Sequence, residues 1–256
     1  MFDRRMLVAD LARLGVTAVD ILLVHSSFKA LGSWTGTPED VILALRELLG
    51  LKGTLLMPSF PSGSEFFLSL NHLVFDVRHS ASGCGVITET FRKQPGVIRS
   101  LNPTHCTAGI GPAAAELLAG HEHCRISVGP GSPYHKLIEA RGKILLLGVE
   151  HCSDTTLHFV ENVNGAPTIC RIEYANTIVD TAGREIPVPT LPHMPGLPRN
   201  YPRVDALLDA GKFQRRGSVG QADCRLVDAF GMAQCIGEAI RRDPLYLIEP
   251  FVFPEA

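Results

Sequence analysis

The sequence predicts an α/β fold with a largely parallel central sheet. Three short apolar runs carry that prediction: Ile21–Val24, Thr54–Met57 and Ile144–Leu147, each closed by polar residues, Pro or Gly. None alternates with polar residues, so each reads as a strand buried on both faces. A helix signature lies between the first two, which makes a strand–helix–strand unit whose default is parallel pairing.

The elements follow in order. Asp3–Gly15 places Leu7, Leu11 and Leu14 at helical spacing and ends on a glycine cap. The strand Ile21–Ser27 runs into the polar loop SFKALGSWTG. Thr37-Pro38-Glu39-Asp40 is a helix start, with a threonine cap, proline at the first helical position and acids in the first turn. That helix reaches Gly50, and Gly53–Pro58 is the next strand. From Ser59 to Val74 the pattern dissolves, which predicts an irregular excursion over one edge of a cleft. Ser82–Gln94 reads as a helix, Val97–Ser100 as a short strand, and Pro112 as the start of another short helix. Ser132 caps a helix that feeds the strand Ile144–Leu147. Asp154 stands as N-cap of the helix Thr155–Val163 that leaves this strand. Beyond Gly165 the alternation of Arg171–Asp180 and Arg184–Val188 across Thr181-Ala182-Gly183 predicts a C-terminal hairpin elaboration. A Pro-rich loop, a helix at Pro202–Ala210 and a closing helix at Asp228–Arg242 complete the chain.

At 256 residues, the chain is long enough for one domain with a large core, and residues 1–256 are read as a single catalytic domain. A net charge of -2 without a basic block argues against nucleic acid as a partner. No apolar run is long enough for a membrane helix and Met1–Leu14 has no signal-peptide pattern, so a cytoplasmic protein without membrane partners is expected. Seven cysteines without a CxxC pair suit reduced thiols. His121, His123 and Cys124, and likewise His151, Cys152 and Asp154, lack a second cluster at ligand spacing, so no metal is expected.

Chemistry concentrates at the corner after Leu147. Strand-to-helix corners at the carboxyl end of a sheet are where α/β proteins hold ligands. His158 and Glu161, spaced i, i+3, share one helix face, which suits a neutral, oriented imidazole acting as general base. The loop His25–Gly32 offers hydroxyls, one lysine and glycine-freed amides that suit a phosphate. It matches neither a Walker loop nor a dinucleotide fingerprint. Arg99-Ser100 is a second phosphate candidate.

Taken together, VHSSFKALG with GTPEDVILAL, GTLLMPSF, CGVITETFRKQPGVIRSLNPTH, GPGSPYHKL, GKILLLGVEHCSDTTLHFVE and the later GSVGQADCRLVDA resemble the aminoglycoside 3-N-acetyltransferases. The resemblance implies a three-layer α/β sandwich around a mixed, largely parallel sheet. It also implies an acetyl-CoA-dependent N-acetyltransferase in which an amine attacks the thioester directly in a ternary complex. Carried over, His158 becomes the base, with Glu161 or Asp205 as its carboxylate partner. Ser26, Ser27, Lys29, Leu31, Gly32, Arg99 and Ser100 then meet acetyl-CoA. Oxyanion donors are sought among the backbone amides at the Val149–Glu150 corner or the Asn102-Pro103 turn.

One feature departs from the family. The excursion Pro61–Val74 is short and carries a single acid, Glu65, whereas a polycationic acceptor calls for many. The acceptor is therefore left open among aminoglycosides, amino sugars, biosynthetic intermediates and aminophosphonate-like amines, as is a homodimer. Two other functions compete: a hydrolase pairing His158 with Cys152 or Cys106, and a non-catalytic CoA- or metabolite-binding protein.

Overall fold

The computed structural model describes residues 3–249. Its elements are α1 (Arg4–Leu14), β1 (Ile21–Ser26), α2 (Pro38–Leu49), β2 (Thr54–Pro58), α3 (Glu65–Leu70), β3 (Val74–Asp76), α4 (Val86–Phe91), β4 (Ile98–Arg99) and β5 (Thr107–Ile110). There follow α5 (Ala114–Leu118), α6 (Pro133–Glu139), β6 (Lys143–Leu147), α7 (Thr156–Val163), β7 (Tyr174–Val179), β8 (Glu185–Thr190), α8 (Val204–Ala210), β9 (Gln214–Val219), β10 (Ala222–Asp228) and α9 (Ala229–Arg242).

Seven strands form the main sheet in the order β4-β5-β2-β1-β6-β10-β9. Successive residues of a strand point to opposite faces, and here both faces are covered. Leu22, Val24, Leu55, Met57, Leu145 and Leu147 pack on the side of α1, α2 and α4. Leu23, Leu56, Ile144 and Leu146 pack on the side of α5 to α9. This double burial is why the three runs are continuously apolar. The expected sandwich and mixed sheet are present, but the sheet is not largely parallel, because only the two pairings of the central strand are, and the edge strands, which lack continuous apolar runs, pair antiparallel. β1 pairs parallel with β2 and β6, while β4, β5, β9 and β10 extend the sheet by antiparallel pairing.

The β7–β8 hairpin forms as predicted and recruits β3, which pairs parallel with β7. The excursion is therefore more regular than its sequence suggests, since it holds α3 and β3. β5, β9 and β10 are the other elements the pattern reading did not find. The predicted helix at Ser82–Gln94 is shorter, with α4 beginning at Val86. α7 starts one residue later than expected, with Thr155 at its N-cap, and Asp154 just before it still caps the first turn, its Oδ1 accepting the Thr156 backbone N–H at 3.0 Å. At Gly148, φ is +67°, and an added Cβ would sit 2.3 Å from Ala30 Cβ. A glycine there lets the chain leave β6 and pass close against the turn that follows β1.

Candidate active site

A cleft of about 650 Å³ opens at the carboxyl ends of β1, β2 and β6. β1 lies between β2 and β6, so the strand order reverses there, and such reversals place ligands at the strand ends. His25 and Ser26 end β1, Pro58 ends β2, and Val149 follows β6; all line the cleft.

His158 lines it from the first turn of α7. Its Nδ1 lies 3.0 Å from Glu161 Oε2 and 2.9 Å from Tyr201 Oη. Tyr201 O–H donates to the same carboxylate oxygen at 2.9 Å, and Arg199 Nε donates to Oε1 at 3.4 Å. A carboxylate only accepts, so the imidazole hydrogen sits on Nδ1 and the lone pair on Nε2. Burial pushes the His158 pKa down to about 4, aided by neighbouring His193 and opposed by Glu161. The imidazole is therefore neutral at physiological pH, through burial more than through the helix terminus. Burial alone would raise the Glu161 pKa, but His158, Arg199 and the tyrosine hydroxyl outweigh it and hold the carboxyl below its ordinary range.

A second carboxylate cluster faces the same cleft. Glu65, at the start of α3, is buried and accepts from Thr104 Oγ1 (2.8 Å), Ser127 Oγ (2.6 Å) and the backbone N–H of His193 (2.9 Å). His193 Nδ1 lies 2.6 Å from Glu65 Oε2, and His105 Nδ1 lies 3.2 Å from Oε1. Burial opposes the charge on Glu65, yet His105 and His193 hold its pKa well below the ordinary carboxylate value. One ligand atom each from Glu65, His105 and His193 lie within 4.8 Å of one another, a spacing that could suit a metal ion. His105 Nδ1 and His193 Nδ1 already face Glu65, so a cation bound through those atoms would have to displace these contacts. The His158 and His193 rings are 4.4 Å apart, which joins the two clusters.

The other expected site residues divide. Asp205 is not the partner of His158: it binds Arg225 (3.1 Å), Arg216 (2.8 Å) and Gln214 (3.0 Å), with His151 Nε2 at 3.4 Å. Arg99 does not present its fork to a phosphate. Its guanidinium donates to Ser59 Oγ, Ser59 O, Val77 O and Ser80 O, tying β4 to neighbouring loops. Ser100 is buried and bonds His121 Nδ1 at 2.8 Å. Leu31 is a fully buried core residue. A Cβ at Gly32 would meet Gln221 Oε1 at 1.9 Å, so that glycine permits packing against the β9–β10 turn. Ser26 reaches the cleft, and its Oγ is buried without a hydrogen-bond partner. Ser27 continues the loop, its N–H bonded to Leu147 O, and Lys29 is exposed. Cys106 is a poor nucleophile, since burial pushes its thiol up to about 11 and its Sγ lies against Ser100 O.

Pattern reading missed Glu65, His105, His193, Arg199 and Tyr201 as members of one site. Only the single acid of the excursion and the Asn102–His105 turn had hinted at two of them.

The model of the aminoglycoside 3-N-acetyltransferase family matches residues 23–241. An aminoglycoside N(3)-acetyltransferase IV from Salmonella sp is 34% identical over 250 residues, covering 95% of this chain and 89% of that one. The chain belongs to the aminoglycoside 3-N-acetyltransferase family. Among solved structures, a histidine-to-alanine mutant of AAC(3)-IVa in complex with a gentamicin is similar, with a TM-score of 0.82 and 31% identity over 97% of this chain and 92% of that one. AAC-IIIb in a binary complex with CoASH gives 0.81 at 27% identity, over 94% of this chain and 96% of that one. The chain is thus an acetyl-CoA-dependent N-acetyltransferase, which sets aside the hydrolase and the non-catalytic binding protein.

Proposed function

We propose that the enzyme acetylates an amine of an aminoglycoside, with His158 as general base in a ternary complex. The observation that carries the mechanism is the Glu161–His158 pair, with Nδ1 held at 3.0 Å and the other ring nitrogen left for the substrate in the cleft. The acceptor class is supported by the aminoglycoside named in the relative's complex with gentamicin.

The reaction follows from these positions. Nε2 takes a proton from the acceptor nitrogen as that nitrogen attacks the thioester carbonyl, so a C–N bond forms and the carbonyl becomes an oxyanion. Collapse breaks the C–S bond, and the imidazolium returns the proton to the departing CoA sulfur. Glu161 holds the imidazole in the Nδ1–H form and offsets the positive charge it acquires. A positioned base contributes on the order of 10²–10⁴-fold, and the remainder comes from orientation and oxyanion donors. Ser26, Ser27 and Lys29 are assigned to the acetyl-CoA side of the cleft, where the unpartnered Ser26 hydroxyl supports contact with the donor.

The test is acetyl-CoA consumption with gentamicin, sisomicin and smaller amino sugars, with the acetylated nitrogen located by NMR. Faster turnover of smaller amino sugars than of either aminoglycoside would overturn the acceptor assignment.

A further inference from the structure

We infer that Glu65 and His105 form the binding site for a second polar group of the acceptor, an ammonium or hydroxyl next to the amine that reacts. The inference rests on the proposed acetyl transfer and concerns the specificity of the same cleft.

The cleft holds two glutamate-backed imidazoles. In each, Nδ1 faces a buried carboxylate, 3.0 Å away for His158–Glu161 and 3.2 Å for His105–Glu65. Because the carboxylate can only accept, His105 carries its hydrogen on Nδ1 and leaves a lone pair on Nε2. That nitrogen has no hydrogen-bond partner among the described residues, and His105 lines the cleft. The third imidazole at this end is different. His193 also directs Nδ1 to Glu65, but its Nε2 lies 3.2 Å from Asn162 Nδ2, which donates to it. His193 is thereby occupied at both nitrogens, and its ring packs beside the other two, 4.4 Å from His158 and 5.8 Å from His105.

The two open acceptor nitrogens therefore stand on rings whose centroids are 6.5 Å apart. An acceptor that gives one N–H to His158 can give a neighbouring N–H or O–H to His105. The anionic Glu65 behind that ring strengthens the bond, because a carboxylate at Nδ1–H makes Nε2 a better acceptor. Glu65 is the only carboxylate lining the cleft among the described residues, and Arg199 lines it too. Selectivity for a polyamine thus cannot rest on a field of acids. It falls to a positioned acceptor, and a site built to bond a substrate N–H or O–H discriminates strongly against analogues lacking it.

The test uses the intact enzyme, acetyl-CoA and gentamicin, with three substitutions at one position. His105→Ala removes the acceptor nitrogen. His105→Phe removes it while keeping a ring against Phe60, whose centroid is 4.9 Å away. His105→Gln retains an oxygen that can accept. The alanine and phenylalanine variants should raise the gentamicin KM and its calorimetric Kd at least about tenfold, the range expected for a lost charge-assisted hydrogen bond. The KM for acetyl-CoA and kcat should stay within about threefold of the parent, and the glutamine variant should recover most of the lost affinity. Should the alanine variant unfold early, the phenylalanine and glutamine variants decide the matter. Unchanged acceptor KM in both Ala and Phe variants, or a loss of kcat with KM intact, would overturn the inference. A failure of the underlying acetyl-transfer reading is distinguishable, because the parent would then not turn over gentamicin at all.

Discussion

At the scale of single residues, the site depends on which nitrogen of each histidine carries its hydrogen. Glu161 and Tyr201 fix Nδ1–H on His158, and Glu65 fixes it on His105. Glu161→Gln weakens the electrostatic support for the imidazolium and should lower kcat at least about tenfold, with acceptor KM little changed. Tyr201→Phe removes one bond to a charged group, worth roughly 1.5–3 kcal/mol, and should have a smaller effect of the same kind. Steady-state kinetics on both variants, each assayed well below its own melting temperature, separates this from a folding defect. The pH profile offers a second check. Burial and His193 hold the His158 pKa at about 4, against an ordinary 6.5. The neutral, proton-accepting form is therefore present above that value, and the limb of kcat/KM belonging to the enzyme's imidazole should lie well below pH 6.5. A limb for this group above pH 7, absent from His158→Ala, would contradict the assigned environment.

At the scale of elements, α7 presents the His158–Glu161 pair because β6 ends at Gly148, the chain turns tightly, and Asp154 caps the next helix. α2 is secured differently. Thr37 Oγ1 accepts the Asp40 N–H at 3.3 Å while Asp40 Oδ2 accepts the Thr37 N–H at 2.8 Å, a reciprocal cap. Thr37→Ala should cost about 1 kcal/mol of stability. Chemical denaturation reads this directly, and kinetic constants should not move, since the cap is remote from the cleft. The central strands, the hairpin and the long helices were legible in the sequence because both sheet faces and one helix face bury apolar side chains in regular periods. The edges were not. β9 reads QRRGSV, with Arg215 and Arg216 exposed and only Gln214 and Val219 buried, so its apolar signal is nearly absent. β10 carries Arg225, buried in an ion pair with Asp205, which interrupts an otherwise strand-like run. α3 spans only six residues, too few for helical periodicity to emerge from its surroundings.

At the scale of the whole molecule, the candidate site was half legible. His158 and Glu161 lie three residues apart on one helix, so local spacing reveals them. Glu65 meets His193 across 128 residues and Thr104 across 39, and only the tertiary fold joins those segments. Arg99 and Asp205 misled for the same reason, since an arginine or aspartate in sequence does not disclose the carbonyls or guanidinium groups that satisfy it. The buried histidines also give the molecule a pH signature. Burial pushes His121 down to about 3 and His158 to about 4, and lowers His25 as well. Unfolded, each titrates near 6.5, so between roughly pH 6.5 and 4 the unfolded chain binds more protons than the native one. Stability therefore rises with pH across that window and is lost as pH falls through it. Glu65, Asp154 and Glu161, whose pKa values are lowered in the fold, add a loss of the same sign below about pH 4.5. Thermal melts should show a falling Tm from pH 7 to pH 4.5; a flat or rising Tm would rule out neutral buried histidines.

Whether a glutamate-oriented His158 is the base is tested most directly by His158→Ala at saturating gentamicin and acetyl-CoA. The expected result is a fall in kcat of roughly 10²–10⁴-fold, with the calorimetric affinities for gentamicin and CoA and the melting temperature nearly unchanged. Turnover within about threefold of the parent would contradict that role, because a positioned base cannot be removed at so small a cost.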